Sequence, residues 1–220
     1  MNDRMSSDKA RARLEAMFAV APVVPVITID NADDAVPLAR ALIAGGLRVV
    51  EITLRTDAAL AAAQAILREV PDAIVGLGTV VTPQDMANAA RIGAAFALSP
   101  GMSPELLQAA AELDMPFVPG VQTASELLAC TTRGFELVKF FPAVPAGGLA
   151  ALSALSGPFP NVRYCPTGGV NETNVTQWLA HPQVVAVGGS WIAPAADIRA
   201  GAWSVIEARA RAAAALRRRT

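Results

Sequence analysis

From residue 23 onward, short apolar and β-branched runs alternate with Ala-rich segments of helical period. Residues 23–29, 48–53, 73–78, 95–99, 116–119, 137–140, 162–166 and 184–188 read as strands. The segments between them predict helices over 32–44, 57–68, 83–91, 104–113, 124–131, 148–155 and 172–179, with a last helix near 203–217. Ahead of these, residues 5–20 place Leu14, Met17 and Phe18 on one side, which predicts an additional N-terminal helix within residues 1–21. Eight strand–helix units with near-continuously apolar strands predict an α/β fold, a (β/α)8 TIM barrel formed by residues 1–220 as one domain. An open doubly wound sheet is the alternative. It calls for a G-x-G-x-x-G turn after the first strand, where this chain has DNADDAVP, so a nicotinamide dehydrogenase is disfavoured.

A barrel strand turns one face to the surrounding helices and the other to the axis. In VVEITLRT, Glu51, Thr53 and Arg55 alternate with Val50, Ile52 and Leu54, so the polar trio is expected to point inward together. Lys139, between Val138 and Phe140 in FELVKFFPA, has the same parity. A carboxylate, a guanidinium and an amine are thereby expected in one cavity at the C-terminal strand ends, where barrels keep their chemistry. The lysine stands out because the chain has two lysines against sixteen arginines. Burial disfavours its charged form, and a neutral amine is a nucleophile toward carbonyls. The plainer alternative is a lysine that snorkels to water or pairs with Glu136 or Glu51.

Two strand ends are rich in glycine: CPTGGV at 165–170 and VGGSW at 187–191. Each alone reads as a tight turn. Together, after the seventh and eighth strands, they sit where many barrels hold a phosphate on backbone N–H groups, and Ser190 adds a hydroxyl donor.

Composition removes other classes. The net charge of -1 and 5% aromatic content offer no footprint for nucleic acid. The cluster Arg217 to Arg219 reads as a solvated helix end. The longest uncharged run, 140–162, holds four prolines and three glycines and is read as strand end, loop and helix, with no membrane partner. Charges at Asp3, Arg4, Asp8 and Lys9 argue against a signal peptide. Cys130 and Cys165 lack metal or redox spacing and fit a reducing, cytoplasmic setting. One histidine, His181, cannot build a metal site or a Ser-His-Asp triad, and it reads as a loop residue on the face opposite the chemistry. No metal or other cofactor is expected.

In this order, EITLRT, GLGTV, SPG, VKFFPA, CPTGGV and GGSW resemble the 2-keto-3-deoxy-6-phosphogluconate aldolases, class I aldolases of the Entner-Doudoroff pathway, over roughly residues 22–191. The resemblance implies a Schiff-base lysine at Lys139, a proton-transferring carboxylate at Glu51, and carboxylate contacts from Arg55 and Thr79. It further implies a phosphate site from Gly168, Gly169, Gly189 and Ser190, pocket walls from Pro100, Phe141 and Thr167, and a homotrimer acting on a phosphorylated keto acid. Some members also cleave 4-hydroxy-2-oxoglutarate. Two other readings keep the glycine loops but have no use for a buried amine: a non-catalytic phosphate-binding barrel, and a sugar-phosphate epimerase or isomerase.

Overall fold

A computed structural model describes residues 2–216. After helix α1 (Asn2–Ala19), parallel strands alternate with helices: β1 (Val23–Ile27), α2 (Ala35–Ala44), β2 (Val49–Thr53), α3 (Ala59–Glu69), β3 (Ile74–Gly78), α4 (Pro83–Ile92), β4 (Phe96–Leu98) and α5 (Pro104–Glu112). The second half runs β5 (Phe117–Val118), β6 (Gly120–Val121), α6 (Ala124–Thr131), β7 (Leu137–Phe140), α7 (Gly148–Ser156), β8 (Arg163–Tyr164), α8 (Val175–Leu179), β9 (Val187–Gly189), α9 (Ala195–Arg199) and α10 (Trp203–Ala214). Among the described residues no helix is long and apolar enough to cross a membrane.

Pairing in the order β5-β4-β3-β2-β1-β9 and β6-β7-β8 makes the (β/α)8 barrel. β5 and β6 are halves of its fifth strand. Pro119 between them has no N–H to donate, while its carbonyl accepts from Lys139 N at 2.8 Å, and Gly120 N is satisfied by Ser99 Oγ at 3.2 Å. The ladder thus leaves β4 and continues on β7. Isolated parallel bridges Tyr164↔Val184 and Thr167↔Gly188 bring β8 to the β9 side and close the ring.

Capping chemistry sets the helix starts. Thr82 and Thr123 form capping boxes with Asp85 and Glu126, and Ser103 accepts from Leu106 N ahead of Pro104. Several expected elements are shorter, among them the strand expected over 162–166, of which only Arg163–Tyr164 pairs as β8. The helix expected over 172–179 begins only at Val175, because Asn171 Oδ1 accepts from Thr173 N and Thr173 Oγ1, holding that segment in a side-chain-bonded turn. The strand expected at 184–188 is shifted to β9, and α9, five residues long, had no periodic signal to announce it. The Arg217 to Arg219 tail lies outside the described residues.

Strand parity divides the buried side chains into two clusters. Val50, Ile52, Val138 and Phe140 face the helical layer with Leu38, Ile66 and Leu152. Val24, Val49, Phe96, Leu98, Leu137 and Cys165 gather on the other face with Leu14 and Phe18 of α1. α1 therefore plugs one end of the barrel. Phe18 is fully buried, edge-on to Phe96 with ring centroids 5.4 Å apart, a burial that contributes about 2–3 kcal/mol. Arg11 of α1 pairs with Glu136 just before β7, so the plug is tied at its rim as well as through its core. At this closed end His181 Nδ1 accepts from Gln183 N at 3.3 Å, and partial burial lowers its pKa.

Candidate active site

Glu51 and Lys139 stand on opposite sides of the barrel axis, on β2 and β7, and meet inside it. Lys139 Nζ donates to Glu51 Oε1 at 2.8 Å, with the two side chains 4% and 1% exposed. Of the two carboxylates named as partners from sequence, Glu51 takes the amine and Glu136 takes Arg11. Isolating such a pair from water costs several kcal/mol of desolvation, which only good geometry offsets. Space for it comes from a neighbouring strand. A Cβ on Gly78 would lie 2.0 Å from Glu51 Oε1, so only a glycine there leaves the carboxylate its place. The amine also lies 5.3 Å from the centroid of the Phe141 ring.

Cys165 is the third polar atom at this level. Burial pushes its thiol up to about 12, with the Lys139 charge opposing and Glu51 reinforcing. It is a protonated wall of the pocket at neutral pH, not a competing nucleophile.

Arg55 departs from the expectation. The period-two pattern ends with β2 at Thr53, the chain turns with Arg55 N bonded to Thr53 O at 2.8 Å, and the guanidinium is exposed at the mouth. It joins neither Glu51 nor Lys139. Instead Arg55 Nε donates to Thr79 Oγ1 at 3.3 Å, leaving the terminal N–H groups of the fork free of any intramolecular bond to those two residues. Thr79 has φ 59, a left-handed conformation that is costly for a β-branched residue, on the order of 1–3 kcal/mol. In that conformation its hydroxyl stands beside the Arg55 guanidinium at the rim.

The two glycine loops converge at the same mouth. Gly168 and Gly169 have φ 96 and 80, and Cβ atoms on them would meet Pro142 at 3.0 Å and Val144 at 2.6 Å. Glycine is required there on both counts. Thr167, buried, lies over Gly188, where a Cβ would approach its Oγ1 to 2.2 Å. Gly169, Ser190 and Trp191 line a cavity of about 420 Å³ with Val26 and Thr28. Pro100 and Phe141 reach the rim from β4 and β7, and Gln122 Nε2 donates to Phe141 O at 2.8 Å, fixing that loop.

All eleven residues singled out from sequence therefore lie at or inside the C-terminal mouth. Sequence reasoning missed Gly78, Gln122 and Thr28, which act through close approach or a single tertiary contact. Of these, only Gly78 had left a trace, inside GLGTV. Among the described residues no three His, Cys, Asp or Glu side chains are grouped to hold a metal ion. The arrangement offers a buried amine against a carboxylate, a guanidinium–hydroxyl pair at the mouth, and a cavity with Gly169 and Ser190 in its wall.

Comparison with known proteins identifies the family. The family model described as KDPG and KHG aldolase matches residues 14–209. The chain is 48% identical to a KHG/KDPG aldolase of Escherichia coli K12, with 90% of this chain and 93% of the relative covered. It is 49% identical to a 2-dehydro-3-deoxy-phosphogluconate aldolase of Dickeya dadantii, with 91% and 94% covered. A crystal structure of KDPG aldolase from Legionella pneumophila, with pyruvate captured as a covalent carbinolamine intermediate, superposes with a TM-score of 0.88 at 46% identity, covering 90% of this chain and 96% of that one.

Proposed function

This chain belongs to the KDPG and KHG aldolase family, and on that premise we propose that it reversibly cleaves 2-keto-3-deoxy-6-phosphogluconate (KDPG) to pyruvate and glyceraldehyde 3-phosphate through a Schiff base on Lys139. The observation that carries the reading is the Lys139–Glu51 contact of 2.8 Å inside the barrel. Lys139 as free amine attacks the C2 ketone, and the carbinolamine loses water to give a protonated imine. That cation draws in the electron pair of the C3–C4 bond as it breaks, the C4 hydroxyl gives up its proton, and glyceraldehyde 3-phosphate leaves. The remaining enamine takes a proton at C3, and hydrolysis returns pyruvate and the amine. Glu51, in hydrogen-bond reach of Nζ, moves the protons of carbinolamine dehydration and of the C4 hydroxyl. The electron sink is the imine itself, so the steps balance without a cofactor.

Arg55 and Thr79 hold the C1 carboxylate at the rim, where a planar fork fixes orientation as well as charge. Thr167, Pro100 and Phe141 wall the pocket around the reacting carbons. The cavity beside Gly168, Gly169, Gly189 and Ser190 takes the C6 phosphate. Binding the remote phosphate helps to place C2 against the amine, so its removal costs transition-state stabilisation. Steady-state kinetics should give KDPG a kcat/KM at least about 10²-fold above its unphosphorylated counterpart, equivalent to ~2.7 kcal/mol. Ser190→Ala should shrink that ratio modestly, since the backbone donors remain. Near-equal values would make the loops turns and nothing more.

A second activity, cleavage of 4-hydroxy-2-oxoglutarate (KHG), is favoured by the double name of the Escherichia coli relative. Lys139, Glu51 and Arg55 all act on C1 to C4, which both substrates share. The family resemblance also supports a homotrimer, and light scattering should give about three chain masses of 22.7 kDa; a single chain mass would rule it out.

A further inference from the structure

Thr28 follows β1 directly and shares the inward parity of Val24 and Val26. Val26 pairs in register with Glu51, so Thr28 stands opposite Thr53, one pleat further toward the mouth, and the two hydroxyl oxygens are 3.2 Å apart. Thr53 is fully buried and its one proton is committed, because Thr53 Oγ1 donates to Ile27 O at 2.7 Å. Because the contact to Ile27 O is the shorter of the two, the proton between the hydroxyls is assigned to Thr28. This leaves Thr28 Oγ1 with acceptor capacity only. The same residue lines the cavity of about 420 Å³ that holds Gly169 and Ser190 in its wall.

An oxygen that can only accept disfavours a phosphate or carboxylate oxygen and favours a hydroxyl. Its height selects which one. Two residues of strand rise about 6.6 Å, less along the barrel axis because strands tilt. In a substrate joined to Lys139 through C2, C5 lies three bonds further along, on the order of 4 Å from C2. We propose that Thr28 is a specificity-determining residue that accepts a hydrogen bond from the C5 hydroxyl of the phosphorylated six-carbon keto acid, a group that KHG, with a carboxylate carbon at C5, does not have. Thr53 acts through Thr28 as a positioning residue, by fixing where the proton lies. The assignment rests on the aldolase reading above and names how its pocket separates the two substrates.

Steady-state kinetics on Thr28→Val and Thr28→Ser test it. Valine keeps the shape and removes the acceptor, so the ratio of kcat/KM for KDPG to that for KHG should fall about 5- to 10-fold, the scale of one neutral hydrogen bond. Serine keeps the acceptor and should hold the ratio within about 2-fold of wild type. In the synthetic direction, pyruvate is offered with glyceraldehyde 3-phosphate or with 3-oxopropyl phosphate, the same aldehyde without the hydroxyl that becomes the C5 hydroxyl. Wild type should prefer the hydroxylated aldehyde, and Thr28→Val should lose that preference. An unchanged ratio in Thr28→Val, an equal fall in Thr28→Ser, or the same aldehyde preference in Thr28→Val as in wild type would each overturn the assignment while leaving the aldolase reading intact. A wild type that cleaves no KDPG would overturn both.

Discussion

Pyruvate followed by borohydride should add one covalent label to this chain, at Lys139, and Lys139→Met should abolish the label and lower kcat/KM for KDPG by at least about 10³-fold. Nothing else in the pocket can replace the amine. Cys165, the other nucleophile at that level, has its thiol raised to about 12 by burial and stays protonated. The substitution also carries a signature in stability. Lys139 is the hydrogen-bond partner of a carboxylate only 1% exposed, and stripping one member from a buried pair typically costs about 3–5 kcal/mol. Lys139→Met should therefore melt earlier than wild type, whereas Lys139→Met with Glu51→Gln should recover much of the loss while remaining inactive. A double variant that is stable and dead separates lost chemistry from lost fold. Peptide mapping that places the label on Lys9, or finds none, would sink the Schiff-base assignment.

Glu51→Gln should lower kcat by about 10²-fold or more while pyruvate trapping at Lys139 still occurs. Glutamine keeps an oxygen in hydrogen-bond reach of Nζ, so the amine stays oriented and its attack survives. What it removes is the group that takes and returns protons during carbinolamine dehydration and at the C4 hydroxyl. Single-turnover trapping should therefore slow less than full cleavage of KDPG. If kcat were unchanged, Glu51 would be an ion-pair partner of Lys139 and no more, and the proton transfers would have to be assigned elsewhere at the mouth. The backbone beside it needs watching in any such series: with Gly78 so close to the carboxylate, changes at 78 displace Glu51 and mimic its loss.

The meeting of Glu51 and Lys139 is legible in the sequence, because period two is a local property and a barrel leaves only one wet direction for a polar side chain between apolar neighbours. Arg55 shows where that logic stops. It continues the alternation of EITLRT in sequence, but the strand ends at Thr53, and past a strand end parity no longer says where a side chain points. The same limit explains the shift of the last strand to Val187–Gly189 and the shortened helix at Val175–Leu179. At 184–186 the chain touches β8 only through an isolated bridge, and at 171–174 asparagine side chains bond the backbone first.

By itself the sequence determined the barrel, the inward lysine and carboxylate, and the glycine loops, since each follows from spacing along a few residues: apolar runs recurring with helical segments, a charge at an inward position, paired glycines after a strand. Only the tertiary structure decided that α1 plugs the closed end with Leu14 and Phe18, that Gly78 yields its space to Glu51, that Arg55 pairs with Thr79, and that Thr53 spends its proton on Ile27 and so leaves Thr28 an acceptor. Each of these depends on contacts between residues brought together by closure of the ring, and no periodicity along one strand records which atom of another strand will stand opposite it.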